Sequence, residues 1–175
     1  KISSLLRIGS DTSNPNVYKP DKISTKHMMP TIQSFFCFSL NENVDKPYST
    51  TINNLNDLKQ YQGKEIGLSD WLYMSQDKIN TFADVTEDSQ WIHLDAKRAA
   101  EESPYKKTIA HGFLVLSYAS QITFRTLKLN NIKLAINYGL DKVRFPNATP
   151  SDSYFRGRVS LIEFEEIPGG VKYKL

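Results

Sequence analysis

Cysteine occurs once in the 175 residues, as Cys37. An internal disulfide is therefore excluded, as is a metal site built from several thiolates, and a reducing, cytoplasmic setting is expected. Long apolar runs are missing as well: the longest, at 34–40 and 109–118, fall well short of the roughly 20 residues that span a bilayer. No apolar signal-peptide core followed by a small-residue cleavage site opens the sequence, so neither targeting nor membrane anchoring is expected. Charge of one sign is not gathered anywhere. The 22 basic and 19 acidic residues leave a formal charge of +3, and the basic ones are dispersed. That sets nucleic acid aside as the main partner, while a small positive surplus still suits an anionic ligand such as a phosphorylated cofactor tail.

What remains is an ordinary globular composition, 39% apolar and 23% charged, long enough for one domain with a real core. Residues 1–52 differ from the rest. Rich in Ser, Asn, Lys, Thr and Pro and lacking a sustained period, they are expected to form an extension or linker. One apolar island at 32–40, with Phe35, Phe36 and Phe38, could add an edge strand.

From Asn53 the pattern becomes regular. Leu55, Leu58 and Tyr61 mark a short helix closed by Gly63, and 68–74 alternates like a strand. Ser75 is placed to cap a helix with Asp77 in its first turn and Ile79, Phe82, Ala83 and Thr86 along one face. A polar loop at 87–90 follows. Asp95 can cap a shorter helix over 96–102, which Pro104 stops. Between Gly112 and Thr126, apolar or small residues surround nearly the whole helical circumference, which predicts burial on most sides.

After Asn130 the period changes to two, predicting strands at 133–140, 142–145 and 154–166, a turn at Pro168-Gly169-Gly170 and a last strand from Val171. One buried helix followed by an antiparallel meander is an α+β pattern in which the sheet wraps the helix. The sequence stops at Leu175 within a strand pattern. An incomplete C-terminal strand is expected, whose open edge would need a cover.

Two segments carry chemistry. Asp88 and His93 lie five residues apart beyond a helix end, where a loop can turn both side chains toward one point. With ordinary pKa values of roughly 4 and 6.5, a carboxylate can take a proton from water while an imidazole orients that water. The bland alternative is a turn-forming Asp and a His satisfied by a local hydrogen bond. The second segment, Thr108-Ile-Ala-His111-Gly112, puts a glycine at the opening of the long helix. Unpaired N–H groups there could stabilise a thioester oxygen as it gains charge, although Gly112 could equally just start a tightly packed helix. His111 and Ser117 also have plain readings, as a helix-start residue and as a hydroxyl bonded to its own backbone.

Taken together, three blocks resemble the MaoC-like dehydratase family, which includes the (R)-specific enoyl-CoA hydratases. They are Phe82-Ala-Asp-Val-Thr-Glu-Asp88-Ser-Gln-Trp-Ile-His93, Thr108-Ile-Ala-His-Gly112-Phe-Leu-Val-Leu-Ser117 and Asn137-Tyr-Gly-Leu-Asp-Lys-Val-Arg-Phe-Pro146. The resemblance spans about residues 55–173 and implies a hot-dog fold over 53–175, a long central helix wrapped by a curved antiparallel sheet. It also implies a catalytic dyad at Asp88 and His93, a carbonyl-binding N–H at Gly112, and a substrate-binding helix serine at Ser120, with Ser117 the competing choice. Many hydratases of the family have Asn-Pro in the dyad loop, where this chain has Gln90-Trp91. In that respect it is similar to the NodN-like branch.

The expected activity is reversible hydration of a trans-2-enoyl thioester to an (R)-3-hydroxyacyl thioester, with coenzyme A as carrier. No redox cofactor is required, and the sequence shows no metal-ligand cluster. The resemblance further implies a homodimer, with Phe113, Leu116, Tyr138 and Phe145 available for the pocket wall, the dimer contact or plain core. Two other functions fit the same residues: a noncatalytic module holding an acyl thioester or partner segment, and a hot-dog thioesterase.

Overall fold

The computed structural model of the protein describes residues 45–175. The island at 32–40 lies outside the described residues. Within them, order begins earlier than the composition suggested. Tyr48, Thr50, Thr51 and Ile52, β-branched and aromatic residues that favour extended backbone, form strand β1 (Tyr48–Ile52). It occupies an inner position of the main sheet, so the strand belongs to the domain and not to a linker.

Asn54 accepts a hydrogen bond from the Asn56 N–H and opens a 3₁₀ helix, Leu55–Tyr61, which buries Leu58 completely. Gly63 then turns the chain at φ +78°, a conformation that costs glycine little. The next strands are β2 (Glu65–Leu68) and β3 (Leu72–Met74), so the single strand expected over 68–74 is broken. Likewise the strand expected over 154–166 divides into β5 (Ser153–Phe155), β6 (Arg158–Ser160) and β7 (Glu163–Ile167). The first breaks in the two stretches face each other: Ser69 N–H donates to Gly157 O at 2.9 Å, and Gly157 N–H donates to Ser69 Oγ at 3.0 Å.

Helix packing accounts for that corner. A Cβ on Gly157 would meet the Ile122 side chain at 2.4 Å, and one on Gly67 would meet Thr126 Cβ at 2.4 Å. The two glycines let the C-terminal half of the long helix lie directly on the sheet, which bends around it.

Four α-helices form among the described residues, all between β3 and β4. Helix α1 (Gln76–Thr86) is capped by Ser75 Oγ, which accepts from Lys78 N–H, and it buries Ile79 and Ala83. One turn of helix, α2 (Trp91–Leu94), follows the expected loop, and α3 (Ala96–Glu102) is capped by Asp95 as expected. Helix α4 (Gly112–Thr126) is the central one, 15 residues and about 22 Å long. Strand β4 (Leu127–Leu129) continues it directly and runs parallel to β1. The sheet order is β4-β1-β2-β6, with β3-β5 and the hairpin of β7 with β8 (Gly170–Lys174) as separate pairs. Among the described residues, every strand pairing except β1 with β4 is antiparallel. Ile66, Met74, Ile79, Ile122, Phe155 and Leu161 form the centre of the core between helix and sheet.

Two further expectations fail. Helix α4 is not enclosed: Leu114, Val115, Ile122 and Thr126 are buried, but Phe113 and Phe124 are 69% and 66% exposed. No strand forms over 133–145 among the described residues. That stretch runs as irregular chain, tied down by Asn137 Nδ2 donating to Ser120 Oγ at 2.9 Å and by an ion pair from Asp141 to Lys174 at 2.8 Å. Its alternating Leu134, Ile136, Tyr138 and Leu140 are all exposed. Alternation describes a segment with two faces, and it supplies neither the partner strand nor the apolar surface that a strand needs.

Candidate active site

Helix α1 ends where Glu87 takes a left-handed φ of 59°, and the exposed turn that follows carries Asp88. Helix α2 then raises His93 inward, where the residue is 8% exposed. Its Nδ1–H donates to Ile109 O at 2.6 Å. Since a carbonyl can only accept, Nδ1 carries the hydrogen and Nε2 of the neutral ring keeps a bare lone pair. Burial lowers the His93 pKa below its ordinary value, and the neighbouring His111 acts in the same sense. The Ile109 carbonyl and the Asp88 carboxylate oppose them.

Gln76, at the start of α1, anchors this turn from behind. Its two Nε2 hydrogens go to His93 O and Asn80 Oδ1, both at 2.8 Å, and its Oε1 lies 2.5 Å from the Thr108 hydroxyl. Thr108 in turn lies 2.9 Å from Ser151 Oγ. Nothing in the sequence distinguished Gln76 from a surface glutamine. The segment that leads into α4 is clamped on both sides: Ile109 N–H bonds Ile92 O, and Ala110 N–H bonds Thr149 O.

His111 precedes α4, and the sequence offered it only a helix-start role. In the structure it is 2% exposed, with its ring stacked on His93 at 3.7 Å and 28° and tilted against Phe82 at 5.1 Å. Its Nε2–H donates to the backbone oxygen of Asp88 at 2.9 Å. Asp88, His93 and His111 thus bring donor atoms within 4.8 Å of one another. Such a triad has the composition of a cation site. The expectation that no metal-ligand cluster is present is corrected here, since His111 joins Asp88 and His93 only in the fold. The same arrangement is also able to handle a proton, with an exposed carboxylate beside a buried imidazole that has one bare nitrogen.

Gly112 opens α4, where the first-turn N–H groups have no acceptor within the helix and the dipole end is positive. Beside it lies an open cleft of about 180 Å³, walled by His93, Tyr105, Ile109, Gly112, Phe145 and Thr149, among others. His93 and Gly112 therefore face one space. Phe145 forms part of its wall and packs edge-on to Phe113. Neither serine lines the cleft. Ser117 is exposed and donates to Phe113 O at 2.8 Å, the back-bond its position allowed, while Ser120 is engaged by Asn137. Trp91 lies beneath the Arg98 guanidinium, 4.3 Å from the ring centre, and so covers the outside of the turn.

Comparison with known proteins places the chain in a family. The model of the MaoC like domain matches residues 57–168. The chain belongs to the MaoC-like family. This MaoC-like domain is 42% identical over 120 residues to 3-hydroxyacyl-thioester dehydratase Z of Mycobacterium tuberculosis, covering 69% of this chain and 79% of the relative. It is also 44% identical over 111 residues to Nodulation protein N of Rhizobium leguminosarum bv. viciae, covering 63% and 69%. Among solved structures, the Monoamine oxidase regulatory protein from Archaeoglobus fulgius superposes with a TM-score of 0.54 at 21% identity, covering 69% of this chain and 77% of that one. That likeness concerns the fold, and it bears out the hot-dog, α+β architecture. No helix among the described residues is long and apolar enough to cross a membrane.

Proposed function

We propose that this MaoC-like domain catalyses the reversible syn addition of water to a trans-2-enoyl thioester, giving an (R)-3-hydroxyacyl thioester. The observation that carries the proposal is that His93 and the start of α4 at Gly112 face the same cleft, while Asp88, outside its lining, has a carboxylate oxygen within 4.8 Å of the His93 ring nitrogen. The name borne by the Mycobacterium tuberculosis relative, a 3-hydroxyacyl-thioester dehydratase, supports a hydro-lyase of this class.

In the hydration direction, water donates one hydrogen to the Asp88 carboxylate and the other to the bare Nε2 of His93. Both contacts orient its lone pair toward C3. As the oxygen–C3 bond forms, the π pair moves toward C2 and the carbonyl, and the developing negative charge falls on a thioester oxygen held by the Gly112 N–H. Asp88, now protonated, returns the hydrogen to C2, which balances the addition and restores the carboxylate. Coenzyme A is the carrier we favour, present as part of the substrate, and no further cofactor or metal enters these steps. A cytoplasmic setting belongs to the same proposal, supported by the single cysteine.

The working unit we infer is a homodimer. Leu134, Ile136, Tyr138 and Leu140 supply an exposed, alternating apolar segment, and Phe113 and Phe124 are exposed on α4. Incubation with crotonyl-CoA tests the chemistry. Loss of enoyl absorbance is expected, with Asp88→Asn and His93→Gln slowed by roughly 10²- to 10⁴-fold. Release of free thiol would instead identify a thioesterase, and tight binding without turnover a noncatalytic module.

A further inference from the structure

The buried His111 ring is not used by the chemistry just described. It is nevertheless polar and enclosed, and its Nδ1 has no hydrogen-bond partner among the described residues. A phenyl ring would fill the same space between Phe82 and His93 without leaving a buried nitrogen unsatisfied. What a phenyl could not do is hold Asp88. The carboxylate stands on an exposed turn, and the Nε2–H bond from His111 to its backbone oxygen reaches across 23 residues to fix that turn. The face of the same ring lies on His93.

We infer that His111 is a positioning residue that sets the separation of Asp88 from His93, bonding the backbone of one and stacking on the ring of the other. The inference rests on the hydratase proposal for its kinetic consequence. It commits His111 to the Nε2–H tautomer, because the Asp88 carbonyl can only accept. His93, bonded to Ile109 O, carries its hydrogen on the opposite nitrogen, Nδ1. Two stacked imidazoles are thus held in opposite tautomers by two backbone carbonyls, leaving His93 Nε2 bare for water.

Filling space and positioning Asp88 predict opposite results for two substitutions. His111→Phe keeps the stack, removes the orphan nitrogen and loses the donor. His111→Gln puts an amide N–H near the place of Nε2 and gives up the stack. If His111 positions the dyad, His111→Phe melts at or above the wild-type temperature yet loses roughly 10- to 100-fold in kcat on crotonyl-CoA, with KM changed less than about threefold. His111→Gln keeps most of kcat. Wild-type kcat in His111→Phe, or an equal loss in a folded His111→Gln, would overturn the inference while leaving the hydratase proposal standing. Imidazole ¹⁵N spectra of the wild-type protein decide independently of turnover: an Nε2–H tautomer at His111 beside an Nδ1–H tautomer at His93 is expected, and Nδ1–H at His111 refutes the inference even if no enoyl thioester is hydrated.

Discussion

The Phe145 ring lies against Gly112 so closely that a Cβ built on the glycine would come within 2.6 Å of a ring carbon. The glycine at the start of α4 is therefore a matter of space, since it is absent from the positions of left-handed φ. Gly112→Ala should push the ring aside and destabilise the fold by about 1–3 kcal/mol, the usual penalty for overpacking. In a Phe145→Ala background the same substitution should cost less than half as much. Chemical denaturation of the four proteins in this cycle measures the coupling, and purely additive losses would mean that the contact does not constrain Gly112.

Local signals carried much of the site into the sequence. Ser75 and Asp95 cap α1 and α3 as their positions promised, and Asp88 and His93 are close in sequence before they are close in space. The sheet was less legible for a physical reason. Its corner at Ser69 and Gly157 is made by α4 approaching two glycines, a contact between residues far apart in the chain. The alternation over 133–145 reported a capacity to pair and gave no partner. His111 escaped because its two roles, toward Asp88 and His93, depend on a fold that brings 88, 93 and 111 together.

Gln76 offers a sharper test of how His93 is held than removal of His93 itself. Both amide hydrogens are used, one of them by His93 O, so the isosteric Gln76→Glu replaces a donor with an oxygen facing that carbonyl. Losing the bond and leaving the carbonyl opposed should cost about 1–3 kcal/mol. Gln76→Ala should cost less, since water can enter the space. Thermal melts ranking glutamate below alanine would support the hydrogen-bond assignment, whereas the reverse order would contradict it.

The pH dependence of stability follows from His93. Burial holds its pKa below the ordinary value of 6.5 in the folded protein, while the unfolded chain titrates near that value. As pH falls through about 6.5 the unfolded state takes up a proton that the folded state refuses, so stability declines. The decline stops once pH drops below the folded pKa, and above about pH 7.5 this group contributes no slope. His93→Gln should flatten that component of the profile. Urea midpoints taken between about pH 5 and 7.5 check it, and parallel profiles for both proteins would assign the slope to other groups.

Association should depend on the apolar segment that the chain leaves uncovered. Ile136 is 69% exposed and Leu140 49%, so an aspartate at either place should change the stability of a single folded chain by no more than about 0.5 kcal/mol. At a dimer contact the same charge would be stripped of water against an apolar partner, and self-association should weaken by more than about tenfold. Analytical ultracentrifugation of wild type, Ile136→Asp and Leu140→Asp distinguishes the cases. A wild-type dimer that both variants leave intact would place the interface elsewhere, whereas dissociation without a change in the folded spectrum assigns it to this segment.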